Sequence, residues 1–137
     1  MQEMAYGMGT IVDLSPAEAE DRVREALAAE GFGVLTEIDV TATLKAKLDV
    51  DVAPYRILGA CNPLLAHRAL QADQDIGLLL PCNVVVYESV KGTVVAVMEP
   101  NLMAQVSAVP ERVEVAAEAR KRLVRVIEAV KGAGKGE

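Results

Sequence analysis

The chain has 137 residues, a formal net charge of −6, a pI of about 4.9 and a hydrophobic fraction of 52%. This length and apolar content predict a single domain over residues 1–137 with one continuous core. The net negative charge argues against nonspecific electrostatic binding to nucleic-acid phosphates. An aromatic content of 3% without Trp argues against a stacking platform for single strands. We therefore expect no nucleic-acid partner.

The N-terminal stretch MQEMAYGMGTIVDL lacks a basic segment followed by an apolar one, and no run is long enough to span a bilayer. The two cysteines are too few for a secreted domain held by disulfides. We therefore expect a cytoplasmic protein with free thiols and no membrane partner.

The first part of the chain predicts a strand, a helix and a second strand. Residues Met4 to Val12 carry Thr, Ile and Val between glycines, which is typical of a strand. In SPAE, Ser15 stands at the N-cap position and Glu18 three residues later, which forms a capping box. Gly31 is placed to end this helix. The alternation from Phe32 to Val40 predicts a strand with one covered face.

The middle of the chain predicts two short helices around a strand. TATLKAKLDV, with Thr41 as its cap, predicts a short helix or turn near residues 41–49. Tyr55 to Cys61 has the composition of a strand. Asn62 followed by proline is typical of a helix start, so we expect a helix near 63–73. The next apolar stretch, IGLLL, is ambiguous.

The last third predicts a hairpin and a long helix. CNVVVYE is a β-branched strand, Lys91-Gly92 a turn, and Thr93 to Met98 the returning strand. From near Pro110, apolar residues recur at helical spacing opposite a charged side, and a frayed tail follows over 131–137. The predicted apolar stripe comprises Val113, Ala116, Ala117, Leu123, Val124, Ile127 and Val130.

Consecutive strands with few crossover helices predict an α+β fold. We expect a two-layer sandwich, with a mostly antiparallel five-stranded sheet and two long helices on one face, in the order β-α-β4-α. The short helices near 41–49 and 63–73 are additions to it. The other face of such a sheet is left to water or to a partner, so we expect a homodimer.

Five residues in two short segments are candidates for a ligand site: Cys61, Asn62, His67, Cys82 and Asn83. Cys61 directly precedes a helix start, where the positive end of the helix dipole favours a thiolate. His67 lies one to two turns into that helix and can lean back toward its start. If the strands that carry Cys61 and Cys82 are neighbours, the two thiols and His67 form a set of ligands for a soft metal.

Each of these residues also has a structural interpretation. Free cysteines often pack as small hydrophobes, and His67 fits a surface position. Asn62 has a sufficient role as an N-cap, whereas Asn83 either pins a neighbouring loop or faces a ligand. CxxC and HxxxH pairs and a glycine-rich phosphate loop are absent from the sequence. The residues therefore identify no cofactor.

The segment Pro54 to Glu88, with LGACNP and LLLPCNV, resembles a family of uncharacterised bacterial and archaeal proteins, domain of unknown function family 302. The resemblance extends through SPAEAEDRVREALAAEGFGVLTEIDV and so covers most of the chain. It implies a fold similar to that of the TATA-box-binding protein, without implying DNA binding. It implies no catalytic residue. The motif positions to which it directs attention are Cys61, Asn62, Pro63, His67, Pro81, Cys82 and Asn83.

Three functions are compatible with the sequence. The first is a non-catalytic module that binds a small ligand or a soft metal near Cys61, His67 and Cys82. The second is a structural or protein-interaction module in which the Cys-Asn-Pro motif only maintains a turn. The third is a thiol-dependent enzyme that uses Cys61. We favour the first, and the sequence identifies no substrate.

Overall fold

The computed structural model describes residues 1–106 and 110–133 and shows an α+β fold. The strands are β1 (Gln2–Glu3), β2 (Gly7–Val12), β3 (Gly33–Asp39), β4 (Tyr55–Cys61), β5 (Cys82–Ser89) and β6 (Gly92–Met98). The helices are α1 (Pro16–Ala29), α2 (Val40–Leu48), α3 (Pro63–Ala72), α4 (Asn101–Val106) and α5 (Pro110–Ala133), and a 3₁₀ helix spans Gln74–Leu79. The strands form one antiparallel sheet in the order β1-β2-β6-β5-β4-β3, and α1 and α5 pack on one of its faces.

The sheet has six strands in the described part of the chain, where the sequence predicted five. The predicted first strand, Met4 to Val12, begins only at Gly7, because residues 4–6 form a bend in which the Met4 N–H donates to the Gly7 carbonyl (2.7 Å). Before this bend, residues Gln2–Glu3 form the additional strand β1, which pairs with β2. Gly7 lies so close to β6 that a Cβ atom there would stand 1.9 Å from the Val97 carbonyl oxygen. The glycine is therefore a packing requirement of the strand.

The predicted boundaries of α1 are confirmed. The Ser15 hydroxyl accepts from the Glu18 N–H (3.2 Å), and the Glu18 carboxylate accepts from the Ser15 N–H (3.1 Å), so both halves of the capping box are present. Gly31 follows the helix with a φ of +84°, a left-handed conformation that favours glycine. Local sequence signals therefore determine both ends of this helix.

Two predictions around β3 were wrong. The strand lies at an edge of the sheet and has no well-covered face, since Leu35 is 69% exposed and Ile38 48% exposed. A bulge at Leu35 also shifts the register, which alternation of residue types cannot reveal. Helix α2 is capped by Asp39, whose carboxylate accepts from the Ala42 N–H (2.9 Å), and not by Thr41.

The buried apolar side chains form two clusters. The larger lies between the sheet, α1 and the C-terminal part of α5, and includes Val23, Leu58 and Ile127. The smaller lies between α3 and the N-terminal part of α5, and includes Leu65 and Val115. Helix α5 therefore connects the two clusters.

Helix α5 begins at Pro110 as predicted, but its first turns are rotated from the predicted stripe. Val113 is 47% exposed and Ala117 is exposed, while Val115 and Ala119 are buried against α3. Residues 131–133 of the predicted frayed tail belong to the helix, and residues 134–137 lie outside the described residues. Helix α4 carried no sequence signal that we recognised. Within residues 1–106 and 110–133, none of the helices combines the length and apolar content needed to cross a membrane.

Candidate functional site

The two motifs singled out in the sequence come together in the sheet. Strands β4 and β5 are antiparallel neighbours in which Ala60 pairs with Cys82 and Gly59 with Asn83. A Cβ atom at Gly59 would lie 2.2 Å from the Thr36 hydroxyl oxygen and 2.8 Å from the Pro81 ring. Because Gly59 has no side chain, Pro81 and Thr36 can pack directly against its backbone.

A cavity of about 310 Å³ opens beside this junction. It lies where the two apolar clusters meet, between the ends of β4 and β5 and the helices α3 and α5. Its wall is almost entirely apolar and is formed by Phe32, Leu35, Thr36, Ala60, Cys61, Asn62, Leu65, Ala66, Ala69, Leu70, Leu80, Pro81, Cys82, Met103, Val115 and Ala119. The space equals the volume of roughly ten water molecules, but the wall offers them few partners. The cavity is therefore suited to an uncharged, apolar molecule.

Both cysteines line this pocket as free thiols, Cys61 half-buried and Cys82 buried. Burial, together with the smaller effect of the neighbouring Cys61, raises the pKa of the Cys82 thiol from 9.0 to about 11. Cys82 is therefore neutral at physiological pH. A neutral, buried thiol behaves as a small apolar group, which agrees with the apolar character of the wall.

Asn62 lines the pocket, but its side chain has structural partners. Its amide oxygen accepts from the Leu65 N–H (3.2 Å), which confirms the predicted N-cap of α3. Its amide nitrogen donates to the Glu30 carbonyl at the end of α1 (3.4 Å). The residue is 7% exposed. Asn62 therefore joins the start of α3 to the end of α1.

The other two candidate residues lie outside the pocket. His67 is exposed on α3, whose Leu65, Ala66 and Ala69 face the cavity instead. Asn83 is exposed on the face of the sheet opposite the helices. The structure thus brings Cys61, Asn62 and Cys82 together and leaves out His67 and Asn83. Asn83 is left out because neighbouring residues of a strand point to opposite faces, and His67 because it lies on the solvent side of α3.

The predicted metal set of Cys61, His67 and Cys82 is not assembled. Among residues 1–106 and 110–133, no three His, Cys, Asp or Glu residues are grouped so that they could hold a metal ion. His67 faces solvent on α3 and lies outside the pocket that the two thiols line. The geometry therefore supports an apolar pocket in place of a metal centre.

Sequence reasoning missed the part of the pocket that α4 and α5 contribute. Val115 and Ala119 stand four residues apart, which is a helical signal for one buried face, but a single predicted stripe for the whole helix obscured it. Met103 carried no usable signal, since α4 spans only six residues. Which helix closes a pocket depends on packing between distant segments.

The comparisons with known proteins agree with this fold. Residues 8–130 match the family model described as domain of unknown function DUF302. The chain is also similar to an uncharacterised conserved DUF302 protein from Bacillus stearothermophilus, whose crystal structure it matches with a TM-score of 0.85 and 32% sequence identity. That match covers 93% of this chain and 99% of the other. No curated protein matches the sequence. The chain therefore belongs to the family defined by the domain of unknown function DUF302.

Proposed function

We propose that this protein is a non-catalytic binding module that takes up a small, uncharged, apolar molecule in the pocket beside Cys61 and Cys82. The observation that carries the proposal is the cavity of about 310 Å³, whose wall is almost entirely apolar. Burying apolar surface is favourable by roughly 25 cal/mol per Å². A ligand that fills an open apolar cavity therefore gains binding free energy from the surface that it buries.

The chemistry of the wall limits the class of ligand. The amide of Asn62 is already hydrogen-bonded, and the Cys82 thiol remains protonated. A charged group placed here would lose its hydration without finding a counter-ion in the wall, which is costly. The ligand is therefore uncharged, with at most one weakly polar group near Cys61.

Reduced thiols also accord with a cytoplasmic location.

The geometry gives less support to a thiol-dependent enzyme. An adjacent base is one means of activating such a nucleophile, and the candidate base His67 faces solvent on α3 outside the pocket. The structural function of the Cys-Asn-Pro motif has support of its own, since Asn62 caps α3 and contacts α1. That function and ligand binding are compatible, because the capped helix forms one wall of the pocket.

The proposal can be tested with naphthalene, an uncharged apolar probe that is smaller than the cavity. We expect it to raise the thermal unfolding temperature and to slow alkylation of Cys61, because a bound molecule stabilises the folded state and covers the thiol. Ala66→Phe should abolish both effects by filling the pocket from α3. Leu64→Phe is the matched control, since Leu64 is 78% exposed on the same helix and does not line the pocket.

Absence of any shift with naphthalene in the wild type would refute the proposal. Equal protection in Ala66→Phe and Leu64→Phe would also refute it, because the probe would then bind elsewhere. Circular dichroism on both variants shows whether the substitutions preserve the fold.

A further inference from the structure

The face of the sheet opposite α1 and α5, here called the open face, carries no charged side chain from β2 to β3. Its central row, set by the strand registers, is Ile38, Ile57, Val85, Ala96 and Gly9. A sheet face in contact with water is normally polar. In a chain with 25% charged residues, an uncharged face of this extent indicates a surface that is covered.

The charged residues of the same strands point the other way. Arg56 of β4 and Glu37 of β3 turn toward the helices, where Arg56 contacts Glu20 of α1 (2.9 Å). The helix-covered side of the sheet thus carries the charges at its rim, and the open face has none. This is the reverse of the arrangement expected if water covered the open face.

All three tyrosines of the chain line a groove of about 500 Å³ on the open face. Tyr55 and Tyr87 stack with ring centroids 4.9 Å apart and an interplanar angle of 8°, and Tyr6 beside them is 80% exposed. Tyrosine is enriched at the centres of protein interfaces, where its ring is buried and its hydroxyl finds a partner. The groove therefore has the composition of an interface.

We propose that the open face is covered by the open face of a second copy of this chain, related by a two-fold axis. Such an axis places residues beside it near their own copies and pairs every other residue with a different residue of the partner, so charges on the face would have to be absent near the axis and self-complementary elsewhere. The open face meets this requirement of two-fold symmetry because it carries no charged side chain. A different partner for a chain of net charge −6 would be attracted by complementary charge, and the open face offers none.

The size of the face sets the expected strength of the dimer. Five long strands about 4.8 Å apart, each of about seven residues, give a footprint of roughly 450 Å². Part of this area is already covered within one chain, since Val94 is 5% and Ala96 9% exposed. Standard interfaces bury about 800 Å² per partner. The dimer interface is therefore smaller than this standard size and belongs with weak, transient interfaces, so we expect a micromolar dissociation constant.

Sedimentation velocity from about 1 μM to about 200 μM tests the proposal on the full chain. The wild type should change from monomer to dimer within this range. Val85→Lys, in the central row, should raise the dissociation constant at least tenfold, because it places a charge in the apolar interface. Val90→Lys is the control, since Val90 is fully exposed at the tip of the β5–β6 hairpin and should leave the constant unchanged. An equimolar mixture of Val85→Lys and Val85→Glu should restore dimers.

A wild type that remains monomeric at every concentration would overturn the proposal, as would a dimer that tolerates Val85→Lys. If Val85→Lys fails to fold, a measurement on the wild type tests the proposal instead. The rate of Tyr6 nitration should then fall as the protein concentration rises, because the dimer covers this side chain. Nitration that is independent of concentration would count against the open face. Naphthalene binding should persist in Val85→Lys, so the dimer and the pocket can fail separately.

Discussion

At the scale of single residues, the buried thiol of Cys82 gives the protein a pH dependence. Its pKa is raised from 9.0 to about 11, so the folded state keeps the proton that the unfolded state loses. The corresponding stability is fully present below pH 9 and falls as the pH rises toward 11, by about 2 kcal/mol. Urea unfolding at pH 8 and pH 11 should show this fall in the wild type and a smaller one in Cys82→Ala.

Cys61→Ser is the control for that measurement. It removes a thiol from the same pocket and leaves Cys82 buried, so most of the fall should remain. If Cys82→Ala and the wild type lose the same free energy between the two pH values, Cys82 does not carry the effect.

Asn62 has two separable roles, which two substitutions distinguish. Asn62→Ala removes both the cap of α3 and the contact with the Glu30 carbonyl, and should lower the free energy of unfolding by about 1 to 2 kcal/mol. Asn62→Asp keeps the oxygen that accepts from Leu65 and should cost less at neutral pH. Urea denaturation measures both, and equal losses would contradict the importance of the cap.

At the scale of elements, the ion pair between Arg112 of α5 and Asp73 after α3 holds these helices together. Arg112 is 7% exposed, and its Nε has no acceptor within the part of the chain that the structure describes. Asp73→Asn leaves that buried guanidinium without its counter-ion and should cost about 1.5 to 3 kcal/mol. Arg112→Met removes the buried charge itself and should cost less.

Chemical denaturation of the two variants compares these costs. Asp73→Asn keeps the side-chain oxygen that accepts from the Asp75 N–H at the start of the 3₁₀ helix, so the change tests the charge and not the cap. A larger loss in Arg112→Met would show that the pair itself is strongly stabilising.

At the scale of the whole molecule, the proposed dimer should respond to salt in a way that distinguishes it from an interface held by ion pairs. The open face has no charges to screen, while two chains of net charge −6 repel each other weakly. Raising the NaCl concentration should therefore leave the dissociation constant unchanged or lower it slightly. Sedimentation at two salt concentrations measures this, and marked weakening by salt would contradict an uncharged interface.

Much of the fold could be predicted because its signals are local. Ser15 and Glu18 begin α1, Gly31 ends it, and Asn62 begins α3, since each acts on backbone groups within a few residues. The strand β3 was predicted, but its predicted covered face was wrong because alternation alone does not say what covers a strand. The likeness to the TATA-box-binding-protein fold stays a prediction.

The sequence by itself determined the order of the main elements other than β1, α4 and the 3₁₀ helix, the α+β class, the family and the two motifs that form part of the site. Only the tertiary structure decided that Cys61 and Cys82 share an apolar pocket while His67 and Asn83 lie outside it. Helix and strand signals depend on neighbours in the chain, whereas a pocket depends on which distant segments pack together. For the same reason, the uncharged open face became visible only once the strand registers were known.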